Sequence, residues 1–367
     1  MRVGVVKEVT PAERRVALTP AGADALTRDG HQVLVQTGSG AGSDFDDAAY
    51  RQAGARVVRD AEEVWGLSTL LVKVKEPLES EYGLLRPALA LLSYLHLAAN
   101  PSLVDALICS GASAIGYETV EDDEHRLPLL TPMSEIAGRL ATQAGAYLLQ
   151  APLGGPGVLI GGAPGVAPAR VLVIGGGVVG THAARVACGM GAQVTILEQS
   201  LPRLRALEEY FAGRALVLKS DAFSLEAGLR NADLVICAVL IPGSRAPHLI
   251  TREMLGLLRK QAVVVDVAVD QGGCVETSHP TTHDEPTFEV DGVLHYCVAN
   301  MPGAVPATST GALTNATLGY VRRLASLGVD AALAEDGGLA KGLNVRAGKI
   351  TYLPVAEAHA ATAMGAA

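Results

Sequence analysis

Residues 171–200 read VLVIGGGVVGTHAARVACGMGAQVTILEQS, and they leave the chain few folds to choose from. The run Val171 to Ile174 suits a strand buried on both faces. Gly175-x-Gly177-x-x-Gly180 follows it and opens a helical pattern. The first glycine permits a tight turn, the second lets backbone approach a pyrophosphate, and the third lets helix pack on strand. Free N–H groups at the helix start favour phosphate there, and Gly191 suits a left-handed helix end. Glu198 closes the next strand, 18 residues after Gly180. A carboxylate there can bond both ribose hydroxyls and repels a 2′-phosphate, so NAD is the expected cofactor. Arg203 and Arg205 nearby keep the 2′-phosphorylated dinucleotide as the alternative.

Short apolar runs alternate with helical patterns along nearly all 367 residues, the mark of parallel α/β architecture. Strands are expected at 2–6, 32–36, 69–75 and 88–94, with helices near 20–29, 45–53 and 101–110. A long helix is expected at 132–150, capped by Thr131 with Pro132 in its first turn. Residues 153–170 are rich in Gly and Pro and read as a loop or short hairpin. Further strands are expected at 171–175, 193–198, 215–218, 233–239, 262–269 and 294–300, then a helix from about 308, capped by Thr308, Ser309 or Thr310. If that helix returns to the first domain, two chain crossings form a hinge beside a cleft. The tail 330–367 is weakly patterned and is placed with the first domain.

The formal net charge of −9 argues against binding nucleic acid by phosphate neutralisation. The apolar stretch 84–108 carries Arg86, Pro87, His96 and Pro101, which a membrane-spanning helix tolerates poorly. The start MRVGVVKEV lacks a secretory apolar core. Five cysteines show no CxxC pair, which suits a reducing compartment and suggests no metal site. His279 and His283 are four apart, but Pro280 breaks the helix a zinc pair would need. A cytoplasmic protein is expected, without nucleic-acid or membrane partners.

Four polar side chains stand where α/β sheets place ligands, at strand ends or in the loops just beyond. Arg15 follows the first strand, Lys75 ends LLVKVK, His96 ends LLSYLH, and Asp270 ends VVVDVAVD. Each has a plain alternative: a surface ion pair for Arg15, a snorkelling strand end for Lys75, a satisfied core histidine for His96, a turn cap for Asp270. Taken together their chemistry is complementary. Two cations can receive a carboxylate, and a histidine can move protons near neutral pH. An aspartate can orient water or hold an ammonium. Lys73 shares the face of Lys75 in this alternation and is expected to shape or hydrate the same rim.

The blocks KEVTPAERRVALTPAG (7–22), VKVKEP (72–77), YLHLA (94–98), TPMSEIAGRLA (131–141), VLVIGGGVVG (171–180), DVAVDQGGCVETSHPTTHDEPTF (266–288) and NMPGAVPATSTGALTNATL (300–318) together resemble the alanine dehydrogenase/pyridine-nucleotide-transhydrogenase family. The resemblance implies two doubly wound parallel-sheet domains. A Rossmann NAD domain (131–306) is inserted into a discontinuous substrate domain (1–130 plus 307–367). It also implies a homohexamer. By matching positions, Arg15 and Lys75 contact the substrate carboxylate or carbonyl, and His96 and Asp270 form the catalytic pair. Ser134, Gly175, Gly177, Val178, Val179, Gly180, Glu198, Arg203, Ser220, Val239, Leu240, Val267, Asp270, Asn300 and Met301 hold the cofactor. Ala307 and Gly311 depart from the pattern, which often has a basic and a larger residue there. The implied reaction is NAD-dependent oxidative deamination of L-alanine to pyruvate and ammonium, and its reverse. The nearest rivals are a soluble transhydrogenase subunit passing hydride between nucleotides, a non-catalytic NAD sensor, and a dehydrogenase of glycine or serine.

Overall fold

A computed structural model of the chain describes residues 1–239 and 247–365. It divides into two compact units, Met1–Met133 with Val305–Ala367, and Ser134–Ala304. The first unit begins with six strands: β1 (Arg2–Val5), β2 (Gln32–Gln36), β3 (Arg56–Val58), β4 (Leu70–Val72), β5 (Ala90–Ser93) and β6 (Ser113–Gly116). All six pair in parallel. The second unit adds β7 (Arg170–Ile174), β8 (Gln193–Glu198), β9 (Leu216–Lys219), β10 (Leu234–Cys237), β11 (Val263–Asp266), β12 (Thr287–Val290) and β13 (Val293–Tyr296). The chain then returns to the first unit through the helix Pro306–Leu327 and closes that sheet with β14 (Leu343–Arg346) and β15 (Lys349–Ile350).

The first sheet runs β15-β14-β6-β5-β4-β1-β2-β3 and the second β12-β13-β11-β10-β7-β8-β9. Both are parallel at the centre with antiparallel edges, β14 and β15 in one and β12 in the other. In each, strand order reverses beside the first strand, between β1 and β4 and between β7 and β10. That reversal opens a crevice at the carboxyl ends of the strands, where open α/β sheets bind ligands. The second sheet is covered on both faces. Val171 and Val173 pack with Ala183, Ala187 and Leu234 on one side. Leu172 and Ile174 pack with Leu225, Leu229 and Val235 on the other. A parallel sheet needs this double cover.

Several local expectations are corrected. Thr131 lies inside the helix Thr131–Leu148 instead of capping it, its hydroxyl turned back to the Leu127 carbonyl at 2.9 Å. The helix expected from 308 starts at Pro306 behind Val305. Ser309 and Thr310 are buried within it, and Thr310 Oγ1 accepts from Val16 N at 3.0 Å. The strand expected over 262–269 stops at Asp266, so Asp270 sits in a short 3-10 turn, Val269–Gln271. β4 stops at Val72, so the alternation that put Lys73 and Lys75 on one face does not hold. Among the described residues no helix is long and apolar enough to cross a membrane.

Candidate active site

In the first unit, the segments leaving β1, β4, β5 and β6 carry a cluster of charged and aromatic side chains. Arg15 lies in the loop after β1 and is buried, 3% exposed. Glu13 grips it from the same loop. Glu13 Oε1 accepts from Arg15 Nε at 2.7 Å and from its amide at 3.0 Å, while Oε2 meets Nη2 at 2.5 Å. Nη1 points to Met133 Sδ at 3.2 Å. The two-point pairing fixes the guanidinium plane.

Lys75 follows β4 with its side chain 17% exposed, and its Nζ lies 4.0 Å from Glu76 Oε2. His96 follows β5, its side chain 47% exposed, with Nδ1 3.2 Å from that same Glu76 oxygen. The backbone at His96 is left-handed, φ 48° and ψ 38°, an unfavourable region for a side chain with a Cβ. Glu118, in the turn after β6, holds it there. Its carboxylate accepts from the amides of Leu95 (3.0 Å) and His96 (2.7 Å). Burial pulls the imidazole pKa down, but the Glu76 hydrogen bond and the Glu118 charge outweigh it and leave it raised. Burial likewise pushes the Glu76 carboxyl up, yet His96 and Lys75 bring it down to about 2. Tyr94 joins the cluster, its ring 6.2 Å from His96 and its hydroxyl donating to the Leu129 carbonyl at 2.6 Å. Burial raises the Tyr94 hydroxyl pKa, and the Arg15 charge pulls against it. Sequence reasoning found Arg15, Lys75 and His96 but not Glu13, Glu76 or Glu118. Glu13 and Glu76 stood inside quoted blocks, each beside a basic residue in the sequence, whereas Glu118 lay outside every block.

Lys73 is the clearest departure. It is fully buried, with Nζ 3.3 Å from Glu8 and 3.0 Å from Glu81. It lies on no rim.

In the second unit, the turn after β7 carries the glycines. Gly175 has φ +98°, which favours glycine. A Cβ on Gly180 would lie 1.8 Å from the Gly175 carbonyl, while one on Gly177 would meet nothing within 4 Å. Gly180 therefore serves helix packing, and Gly177 leaves open space before the helix Val178–Gly189. Val178 is exposed there and Val179 buried. Glu198 closes β8 and accepts from the amides of Gly176 (2.8 Å), Gln199 (2.7 Å) and Ser200 (2.8 Å). Three of its roughly four acceptor positions are thus taken by backbone amides. Arg203 Nε donates to the Gly176 carbonyl at 2.6 Å and Nη2 to Thr181 Oγ1 at 2.7 Å. It braces the turn instead of waiting for a 2′-phosphate.

The remaining residues of the set follow strand ends. Ser220 comes after β9, with its amide on the Glu198 carbonyl at 2.8 Å. Val239 follows β10, and its side chain would be 2.9 Å from a Cβ on Gly175. Val267 follows β11, its amide on Cys237 O at 3.0 Å. Asn300 and Met301 follow β13, and Asp270 Oδ2 accepts from Asn300 N at 3.3 Å. Ser134 lies in the first turns of the helix Thr131–Leu148. Leu240 lies outside the described residues. Asp270 belongs to the second unit, while Arg15, Lys75 and His96 belong to the first.

A glycine turn at a helix start, an acid closing the next strand, and a cation-histidine cluster beyond the strand ends of another parallel sheet are the features of a dinucleotide-dependent α/β enzyme. The models of the alanine dehydrogenase/PNT family match residues 4–137, as the N-terminal domain, and 141–353, as the C-terminal domain. The chain belongs to that family. It is 55% identical over 358 residues to an alanine dehydrogenase of Halomonas elongata, covering 98% of this chain and 96% of that one. To an alanine dehydrogenase of Bacillus subtilis it is 52% identical, covering 97% and 94%. A solved structure titled L-alanine dehydrogenase superposes with a TM-score of 0.95 at 50% identity, covering 98% and 99%. A transhydrogenase from Sinorhizobium meliloti superposes at 0.82 with 24% identity, covering 96% and 100%, which is a likeness of fold.

Proposed function

We propose that this chain interconverts L-alanine and pyruvate with NAD. L-Alanine, water and NAD⁺ give pyruvate, ammonium, NADH and a proton. The observation that carries the reading is identity above one half, spread over 98% of the chain, to a protein named alanine dehydrogenase.

The residues suit the cofactor. Gly177 offers the open approach a pyrophosphate needs, Glu198 keeps one acceptor for a ribose hydroxyl, and its charge disfavours a 2′-phosphate. Gly175, Val178, Val179 and Gly180 form the turn, and Ser134, Ser220, Val239, Val267, Asn300 and Met301 complete the cofactor's surroundings. When bound, NAD supplies the two-electron acceptor for the substrate Cα–H.

Arg15 and Lys75 hold the substrate carboxylate, Arg15 with its plane fixed by Glu13. Lys75 also faces the carbonyl oxygen that gains charge as pyruvate forms. His96 moves the proton. Its Nδ1 is turned to Glu76, so in the neutral ring Nδ1 carries the hydrogen and Nε2 is the basic nitrogen left for substrate. Asp270 orients the water that adds to the imine of pyruvate, or holds the departing ammonium. A homohexamer working in the cytoplasm is the setting we infer, on the resemblance and on the five free cysteines.

The test is NADH formation from NAD⁺ and L-alanine by the purified protein, with the reverse measured on pyruvate and ammonium. Turnover with L-alanine ahead of glycine and serine supports the reading. Hydride exchange between two nucleotides without any L-alanine turnover would replace it with the transhydrogenase alternative.

A further inference from the structure

Lys73, Glu8 and Glu81 form an ion cluster in the interior of the first unit, 0%, 6% and 5% exposed. Stripping water from three charges is costly, and a buried ion pair rarely repays that cost in stability against well-packed apolar residues. Burial indeed pushes the Glu8 carboxyl up, with Lys73 pulling it back. What else the cluster holds is the informative part. Glu8 Oε1 accepts from the amide of Val74 at 2.6 Å, and Oε2 faces the amide of Lys75 at 3.4 Å. Glu81 Oε2 accepts from Leu78 N at 3.1 Å. The segment 74–78 is thereby tied at both ends to carboxylates that share a single ammonium. On the far side, Tyr94 N donates to Val74 O at 3.1 Å and Ser93 Oγ to Lys75 O at 3.1 Å. The backbone from which Lys75 departs is held from both sides just past the end of β4, where Lys73 N still donates to Leu92 O at 3.0 Å and Tyr94 N to Val74 O.

We propose that Lys73 is a positioning residue for the reaction. Through Glu8 it fixes the backbone of Val74 and Lys75, and so the place where the Lys75 ammonium meets the substrate carboxylate. The inference rests on the assignment of Lys75 to that carboxylate. A lysine serves here where an apolar residue would pack as well, because an ionised Glu8 accepts from those amides more strongly than a neutral one, and Lys73 is the cation beside it.

The experiment is a double-mutant cycle on the NADH-loaded protein without ammonium, reading the dissociation constant of pyruvate by NADH fluorescence. The variants are Lys73→Met, Lys75→Ala and their combination, with Lys73→Arg as the conservative replacement. Lys73→Met is expected to weaken pyruvate about tenfold, leave NADH affinity within about twofold, and add almost nothing in the Lys75→Ala background, since coupled neighbours are non-additive. Lys73→Arg restores most of the affinity. Multiplying effects in the double variant, or an equal loss of NADH affinity, would overturn the proposal and leave Lys73 a packing element. If Lys75→Ala alone leaves pyruvate binding unchanged, the carboxylate assignment itself falls and the proposal with it. Should Lys73→Met fail to fold, Glu8→Gln carries the same cycle, because it keeps the shape and leaves Lys73 paired with Glu81.

Discussion

Lys75 and His96 follow neighbouring parallel strands and converge on one oxygen, Glu76 Oε2, at 4.0 and 3.2 Å. The register that pairs Val72 with Leu92 brings the two strand ends side by side. Just beyond those ends side-chain carboxylates add to the backbone bonds: Glu8 under Lys75, Glu118 under His96. The two side chains are thus placed by the sheet and held by neighbouring carboxylates.

If His96 moves the proton, the acidic limb of kcat/KM for L-alanine against pH should report its ionisation. Burial lowers the imidazole pKa, and Glu76 with Glu118 raises it past its ordinary value. Glu76→Gln removes a raising influence, so the ring loses its proton at lower pH. The acidic limb should move to lower pH in this variant. A limb that stays in place or moves upward would dissociate Glu76 from His96.

The glycines of the nucleotide turn should separate by role. Gly177→Ala adds a methyl with no protein atom within 4 Å, so its melting temperature should match the parent's while NADH affinity falls about tenfold or more, the pyrophosphate approach being blocked. Gly180→Ala puts a methyl 1.8 Å from the Gly175 carbonyl. It should cost about 1–3 kcal/mol of stability as overpacking, read by thermal melting. Equal melting temperatures for the two variants would refute the division.

Glu198→Ala should weaken NADH binding without admitting NADPH. The carboxylate anchors three amides, and Arg203 is engaged with the Gly176 carbonyl and Thr181. Losing the acid therefore loosens the turn and does not release Arg203 for a phosphate. Fluorescence titration with both cofactors is the check. NADPH binding as tight as the parent's NADH binding would show that charge repulsion alone set the choice.

The nucleotide turn was legible because its information is local: strand, three glycines, helix and acid lie within 28 residues, 171 to 198. Lys75 and His96 were legible because a polar residue ending an apolar run is conspicuous. Lys73 was misread for the opposite reason. Alternation predicts a face only while a strand continues, and β4 ends at Val72. Its partner Glu8 comes from 65 residues earlier, and no periodicity carries that pairing. Glu118 reaches His96 across 22 residues by the parallel pairing of β5 with β6. β14 was invisible in a weakly patterned tail, because a strand of four residues, Leu343–Arg346, is too short to show alternation, and its partner β6 lies far back in the chain.

The central claim is that the Lys75–His96 cluster performs amino-acid oxidation. It is tested most directly by NADH production from L-alanine, parent beside His96→Ala, with NADH affinity measured on both. The parent should form NADH, and the variant should bind NADH normally while losing turnover by about 10²–10⁴-fold. A parent inert toward L-alanine, or a variant turning over near the parent's rate, would contradict the claim.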